Sequence, residues 1–276
     1  MTINCKGNLI DLNQPKIMGI LNLTPDSFFD GGKNSNLNIA VENVSKMLED
    51  GADFIDIGAY SSRPNALNIS IQEEIDRLIP VLNSLIKNFP KTIFSIDTFR
   101  SEVAEVALKN GASMINDISG GSLDDKMFEV IAKFQVPYIM MHLKGTPQNM
   151  MQNTNYVKLI PEILYYFSEK IKIAKSYNIN DLIIDPGFGF AKTISQNFEL
   201  LENMKLLEIC NLPILAGISR KSMIYKTLET TPEFALNGTT ALNMIALQNG
   251  ANILRVHEVK EAKECITLFN ELQKYA

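Results

Sequence analysis

Polar and charged residues recur in one kind of place in this chain, at the ends of short apolar runs. KIMGIL (16–21) is followed by Asn22, TIFSID (92–97) ends at Asp97, SMIND (113–117) at Asn116 and Asp117, and PYIMMH (137–142) at His142. DLIID (181–185) ends at Asp185, LPILAGIS (212–219) runs into Arg220 and Lys221, and NILRVH (252–257) carries Arg255 and His257. DFIDIG (53–58) leads into AYSSRP, with Ser62, Arg63 and Pro64. Asp, Asn and Ser at such points often only cap the following helix. Capping does not account for Arg63, Lys221, Arg255 or His257. Arginine offers a planar fork of donors to phosphate oxygens and lysine a compact charge. In RVHEV, Arg255 and His257 are two residues apart, so on a strand they face the same way. Together with Arg220 and Lys221 they suit an anion. Asn22 can give a carbonyl oxygen to Mg2+, which takes oxygen ligands and shares them with substrate phosphates. Asp97 and Asp185, with Asn116 between them and Met141 and Phe190 nearby, suit a different group. A buried carboxylate needs hydrogen-bond donors. A heterocycle with two adjacent N–H groups, such as a 2-amino-4-oxopyrimidine, supplies them; an internal salt bridge is the competing account.

The elements that must position these residues follow from the alternation along the chain. Eight apolar, β-branched runs are separated by segments of helical period, such as IAVENVSKMLEDG and IQEEIDRLIPVLNSLIKNF. EDGADFI, KNGASMI and QNGANIL share one pattern, a helix stopping at Gly and a strand beginning shortly after. Eight βα units within 276 residues predict a (β/α)₈ TIM barrel, one domain over 1–276, with residues 1–14 as a short hairpin closing its bottom. A doubly wound sheet is the competitor, but no G-x-G-x-x-G follows KIMGIL. Barrel active sites lie at the C-terminal ends of the strands, which is where the polar residues fall. On that rim the basic cluster after the last two runs is expected to face the carboxylates of the third and sixth runs across the mouth.

Composition narrows the classes. The formal net charge is −5 and no Lys/Arg block stands out, which argues against a general nucleic-acid binder. Three widely spaced cysteines, Cys5, Cys210 and Cys265, suit neither a disulfide framework nor a metal knuckle and point to a reducing compartment. MTINCKGNLIDLNQ has no apolar core of signal-peptide length, and no apolar run is long enough to span a bilayer. A cytoplasmic location without membrane attachment is the expectation.

In their order and spacing, IMGILNLTPDSFFDGG, SSRP, SIDTFRS, INDISGG, IMMH, DPGFGFAK, GISRKS and RVHEV resemble the dihydropteroate synthase family over nearly the whole chain. The family joins 6-hydroxymethyl-7,8-dihydropterin diphosphate to p-aminobenzoate, giving dihydropteroate and diphosphate. The resemblance implies that Asn22 binds Mg2+. It implies that Asp97, Asn116, Asp185 and Lys221 hold the pterin, and that Arg255 and His257, with Asn22, hold the diphosphate. Ser62 would lie near the diphosphate on a second loop with Arg63 and Pro64; Phe28, Pro64, Lys221 and Ser222 would form the p-aminobenzoate pocket. NLTPDSFFDGG would be a lid, with Phe28 a wall for the second substrate and Asp26 or Asp30 stabilising a cation-like pterin methylene. The implied course is SN1-like, with diphosphate leaving before the neutral arylamine attacks. Members are usually homodimers, and TALNMIALQNG is a candidate interface.

This chain departs from the pattern at the second loop: Tyr60 stands where many members have an acid, Ser62 where they have Thr, and Asn65 where they have Gly. The loss of the Thr methyl at Ser62 is expected to loosen the rim towards bulky p-aminobenzoate mimics such as sulfonamides. Two readings compete with the synthase: a pterin-binding methyltransferase that moves a methyl from methyltetrahydrofolate to a corrinoid protein, and a non-catalytic pterin-binding paralogue. The first needs neither the TPDSF segment nor a diphosphate cluster; the second does not need Asn22, Arg63, Lys221, Arg255 and His257 intact.

Overall fold

Each apolar run forms a strand, and each strand lies parallel to its neighbours. The computed structural model describes residues 1–23, 33–61 and 68–275, and only the backbone of residues 33–36. The chain opens with an antiparallel hairpin, β1 (Thr2–Cys5) and β2 (Asn8–Asp11). Eight parallel strands follow: β3 (Lys16–Asn22), β4 (Phe54–Gly58), β5 (Ile93–Asp97), β6 (Met114–Asp117), β7 (Tyr138–Met141), β8 (Leu182–Asp185), β9 (Leu215–Ala216) and β10 (Ile253–Val256). Their order is β8-β7-β6-β5-β4-β3-β10-β9. A parallel bridge between Ile184 and Ile214, with the Ile184 N–H donating to Pro213 O at 3.0 Å, joins the two ends of that order. The expected (β/α)₈ barrel is therefore the fold.

β9 is shorter than the run LPILAGIS suggested. Pro213 has no N–H for a ladder bond, and Asn252 takes over part of the pairing. The Ile214 N–H donates to Asn252 Oδ1 at 2.9 Å, and Asn252 Nδ2 donates to Leu12 O at 3.0 Å, which ties the hairpin to the barrel.

Helices α1 (Lys33–Glu49), α2 (Ile71–Asn88), α3 (Ser101–Lys109), α4 (Met127–Phe134), α5 (Leu159–Ser176) and α6 (Ile194–Glu202) each follow a strand. So do the short α7 (Ser222–Tyr225) with α8 (Leu236–Gln248), and α9 (Val259–Gln273). Side chains set some of the starts. Ser70 Oγ accepts from the Glu73 N–H ahead of α2, and Thr193 and Gln196 form a reciprocal capping box ahead of α6. Gly111, in KNGASMI, ends α3 at φ +104°, where a Cβ would also sit 2.8 Å from Ile86 Cδ1.

Strand side chains alternate between two cores. Met18, Phe54, Met114, Ile139, Ile183, Leu215 and Ile253 point into the barrel and pack with Ile3, Cys5 and Leu12 of the hairpin, which plugs the bottom as expected. The residues between them, including Ile55, Phe94, Ile115, Ile184 and Leu254, pack outward against helix residues such as Leu82, Ala104, Ile131 and Phe167. Two residues beyond the inward apolar layer, on the same face, come Asp56, Ser95, Asn116, Met141, Asp185, Gly217 and Arg255. The period of two that fills the barrel with hydrocarbon at the bottom thus delivers polar groups to its mouth.

Candidate active site

Arg255 organises one half of the mouth. Its Nε donates to Asp56 Oδ2 at 2.6 Å and a terminal nitrogen donates to Asp97 Oδ2 at 2.7 Å. Asn116 Nδ2 donates to the same Asp56 oxygen at 2.8 Å. Asp56 is fully buried, and its other oxygen has no partner among the described residues. Acids and cations are therefore interleaved and do not face each other across the mouth, which corrects the sequence expectation. β10 lies next to β3 and one strand away from β4, so a long guanidinium side chain reaches the inward carboxylates. Carboxylates in so dry a place need a counter-charge. The competing account of Asp97, an internal salt bridge, holds in this structure. Burial pushes the Asp97 carboxyl up to about 7, with Arg255 opposing and Asp56, Glu74 and Asp117 adding to the rise.

The other half is built on the segment after β8. Asp185 Oδ1 accepts from the Gly187 N–H at 2.7 Å. Burial raises the Asp185 carboxyl, opposed by Lys221 and by that N–H. Lys221 Nζ donates to Phe188 O and lies 4.4 Å from the Phe190 ring centroid. Burial lowers its ammonium to about 8, against the pull of Asp185 and with help from Arg255. Met141, Ile118 and Phe190 belong to one apolar cluster beside these groups. Ser222, half-buried, opens α7 directly after Lys221.

Glycines bring the two halves together. A Cβ on Gly217 would stand 3.9 Å from both Asp185 Oδ2 and Arg255 Cβ, so heterocycle and anion candidates share one rim. A Cβ on Gly58 would stand 3.6 Å from Asn22 Oδ1 and 3.7 Å from Asp97 Oδ2, so Asn22 belongs to that rim too. The donor set there is oxygen, which suits a hard cation. Among the described residues no group of three or more His, Cys, Asp and Glu could hold a metal, so a Mg2+ at Asn22 fits only with substrate oxygens as its main ligands. His257 Nδ1 lies 2.9 Å from Ser219 Oγ at the end of the neighbouring strand. Arg220, grouped with the anion cluster on sequence grounds, instead pairs with Glu258.

Asp26, Phe28, Asp30, Ser62, Arg63, Pro64 and Asn65 lie outside the described residues. Tyr60, the third departure, is described. Its hydroxyl accepts from Gln148 Nε2 at 2.9 Å, its ring meets Phe99 edge-on at 5.2 Å, and the Arg100 guanidinium sits 5.0 Å from its centroid. Arg100 itself pairs with the buried Glu74 at 2.8 Å.

Sequence reasoning missed Asp56. The available signal was the alternation in DFIDIG, which sets Asp56 two residues from the inward Phe54 on the same strand face. Gly187 carries a sharper constraint. At φ +72° its Cβ would lie 2.3 Å from the backbone oxygen of His142, and backbone cannot move aside as a side-chain end can. Gly187→Ala is expected to cost about 1–3 kcal/mol in backbone strain alone, read by urea unfolding. It should also displace the N–H that orients Asp185.

The family model described as pterin binding enzyme matches residues 18–257. The dihydropteroate synthase of Escherichia coli K12 is 40% identical over 268 residues, which is 96% of this chain and 94% of that protein. The Yersinia pestis dihydropteroate synthase, solved with a sulfonamide drug complex, superposes with a TM-score of 0.93 at 39% identity, covering 99% of this chain and 100% of that one. The Xanthomonas albilineans dihydropteroate synthase, solved with 4-aminobenzoic acid, gives a TM-score of 0.91 at 36% identity, covering 99% and 98%. Motif order, barrel, rim geometry and these likenesses agree, and the chain belongs to the pterin-binding enzymes, within them to the dihydropteroate synthase family.

Proposed function

We infer that the chain condenses 6-hydroxymethyl-7,8-dihydropterin diphosphate with p-aminobenzoate to give 7,8-dihydropteroate and diphosphate. One observation carries the reading: Asp185, Asn116, Asp97, Lys221, Arg255 and Asn22 meet on a single rim against the apolar Met141 and Phe190. Relatives solved with a sulfonamide complex and with 4-aminobenzoic acid support it.

In this reading Asp185 accepts from the guanidine-like edge of the pterin, and Asp97 and Asn116 complete the polar frame around the ring. Met141 and Phe190 flank its faces. Lys221 joins Asp185 at the pterin, while Arg255 and His257 meet the diphosphate end, where negative charge grows as the C–O bond breaks and its electron pair leaves with diphosphate. Asp56 and Asp97 hold Arg255 oriented before substrate arrives, so little reorganisation remains for the bond-breaking step. The methylene left behind is cation-like, with charge spread over the pterin ring. The arylamine lone pair then forms the C–N bond and the nitrogen loses a proton. Asn22, with diphosphate oxygens, would hold a Mg2+, whose chemistry is to neutralise charge on the leaving group. For the second substrate, the family pattern assigns Phe28, Pro64, Lys221 and Ser222 to the pocket and Asp26 or Asp30 to the cation.

The test is incubation of the purified chain with the pterin diphosphate, p-aminobenzoate and Mg2+. Equimolar dihydropteroate and diphosphate are expected; tight pterin binding with no diphosphate released would mark a non-catalytic paralogue instead. The SN1-like order predicts some diphosphate release without the amine, and release wholly dependent on p-aminobenzoate would count against it.

The lowered Lys221 ammonium sets a basic limit on activity. The group must stay protonated to serve as the counter-charge of Asp185 beside the pterin, so kcat/KM for the pterin diphosphate is expected to fall as pH rises through about 8. Lys221→Arg should move that limb upward out of the measurable range, since a guanidinium stays charged there.

We also propose that the chain pairs with a second copy through α8 and α9. The apolar side chains of Leu236, Ile245, Leu268 and Leu272 are exposed there. Sedimentation at micromolar concentration should give twice the chain mass, and Leu268→Glu should shift it towards the monomer. Among the described residues no helix is long and apolar enough to cross a membrane.

A further inference from the structure

The motif DPGFGFAK ends in a lysine that the chemistry above does not use. Lys192 is only 2% exposed, so its ammonium has left water, and an uncompensated charge in such a place is costly. Burial lowers its ammonium to about 7, with Asp185 opposing and Lys221 and Lys144 adding to the fall, and three protein groups face its nitrogen. Nζ donates to Gly187 O at 3.0 Å and to Phe190 O at 3.1 Å, and lies 3.0 Å from His142 Nδ1.

His142 is suited to the acceptor role. It is as buried as Lys192, and the Tyr156, Tyr166 and Phe167 rings surround it. Burial holds its imidazole well below its ordinary value, with Lys192 and Lys144 adding to the effect. The ring is therefore neutral, with Nδ1 turned to the lysine. Its backbone N–H donates to Asp185 O at 2.9 Å, so the end of β7 is bound to the end of β8 at the same point.

What Lys192 grips is the segment that dresses the heterocycle slot. Residues 186–191 supply the Gly187 N–H to Asp185 Oδ1, the Phe188 carbonyl to Lys221 Nζ, and the Phe190 ring beneath that same ammonium. Two further side-chain contacts hold the segment, the Gly189 N–H donating to Asn197 Oδ1 at 2.6 Å and the Tyr156 hydroxyl donating to Ala191 O at 3.0 Å. Gly187 and Phe190, whose carbonyls Lys192 holds, are joined by a turn in which the Phe190 N–H donates to Gly187 O at 3.2 Å. Lys192 Nζ is thus surrounded by Gly187 O, Phe190 O and His142 Nδ1, all protein groups.

We propose that Lys192 is a positioning residue: clamped to His142, it fixes the 186–191 segment on the end of β7 so that Asp185 and Phe190 keep the spacing the dihydropterin requires. The proposal rests on the dihydropteroate synthase reading of the site. A structural lysine would stabilise the fold and leave substrate discrimination alone, whereas a positioning lysine must affect the two substrates unequally.

The test uses the full chain with Lys192→Met, which keeps the stem and removes the charge, and His142→Phe, which keeps the ring packing and removes the acceptor. Both are assayed with saturating Mg2+ against each substrate in turn, with folding checked by circular dichroism and urea titration. Lys192→Met is expected to raise KM for the dihydropterin diphosphate at least tenfold while KM for p-aminobenzoate changes less than twofold. His142→Phe should show the same selectivity at about a third of the size. Should Lys192→Met not fold, the selective rise in His142→Phe still supports the clamp. Folded variants with an unchanged dihydropterin KM, or an equal rise for both substrates, would overturn it. Wild-type protein that forms no dihydropteroate would refute the functional reading itself, a result separable from these.

Discussion

Arg255→Met is expected to reduce diphosphate release by about 10²–10³-fold, the usual consequence of removing a charge aimed at a developing anion. It should also lower the unfolding free energy by about 3–5 kcal/mol, because it strands a buried partner of opposite charge. Asp56 is fully buried and has one oxygen already without a partner among the described residues. Losing the 2.6 Å bond to Arg255 Nε would leave only Asn116 on its other oxygen. Asp97 would lose its 2.7 Å partner and with it the cation that opposes the upward push of burial on its carboxyl. A second substitution separates the two effects. In Asp56→Asn/Arg255→Met the fully buried carboxylate and its cation are both gone, and replacing a buried pair is often close to neutral for stability; Asp97, whose side chain is 19% exposed, still lacks its partner. The double variant should therefore regain part of the urea midpoint and none of the activity. Recovery of diphosphate release in the double variant would remove Arg255 from the leaving-group role; an unchanged midpoint in the single variant would show that Asp56 is not held by it.

Asp185→Asn is expected to raise KM for the pterin diphosphate by about 10–100-fold, since a hydrogen bond to a charged group contributes about 1.5–3 kcal/mol. The Gly187 N–H occupies Asp185 Oδ1, so Oδ2 is the oxygen left for the ligand. An Asn that keeps its oxygen on Gly187 would present an N–H₂ to the donors of the heterocycle, turning attraction into repulsion. The same change reaches Lys221. Asp185 is the main influence resisting the fall of that ammonium. Without it the basic limb of the pH profile, about 8 in the parent, should move to lower pH. A higher KM with an unmoved limb would place Asp185 on the substrate but uncouple it from Lys221. An unchanged KM would remove it from the slot.

Two features of the site depend on contacts that no local pattern encodes. The Asp56–Arg255 and Asp97–Arg255 bonds join residues 199 and 158 positions apart, and it is the ring closure that makes them neighbours. Sequence reading set Asp97 and Arg255 on opposing sides because it counted strands without knowing how far a guanidinium reaches inside a narrow barrel. It passed over Asp56 for a related reason: an acid in the middle of an apolar run has no identifiable role until its partner on another strand is known. Lys192 is a third case, since a lysine after GFGFA reads as a solvated charge until its burial against His142 is seen.

By itself the sequence determined the eightfold βα repeat, the hairpin below it and the residue types at the strand ends, because period and turn chemistry are local properties of the chain. The order of its motifs was also enough to point to the family. Only the tertiary structure decided which of those residues touch, which charges lose water, and which glycines bring two strands' side chains within a few ångströms. Those outcomes depend on closing the sheet into a ring, where residues distant in sequence share a dry interior and their charges must be balanced against one another.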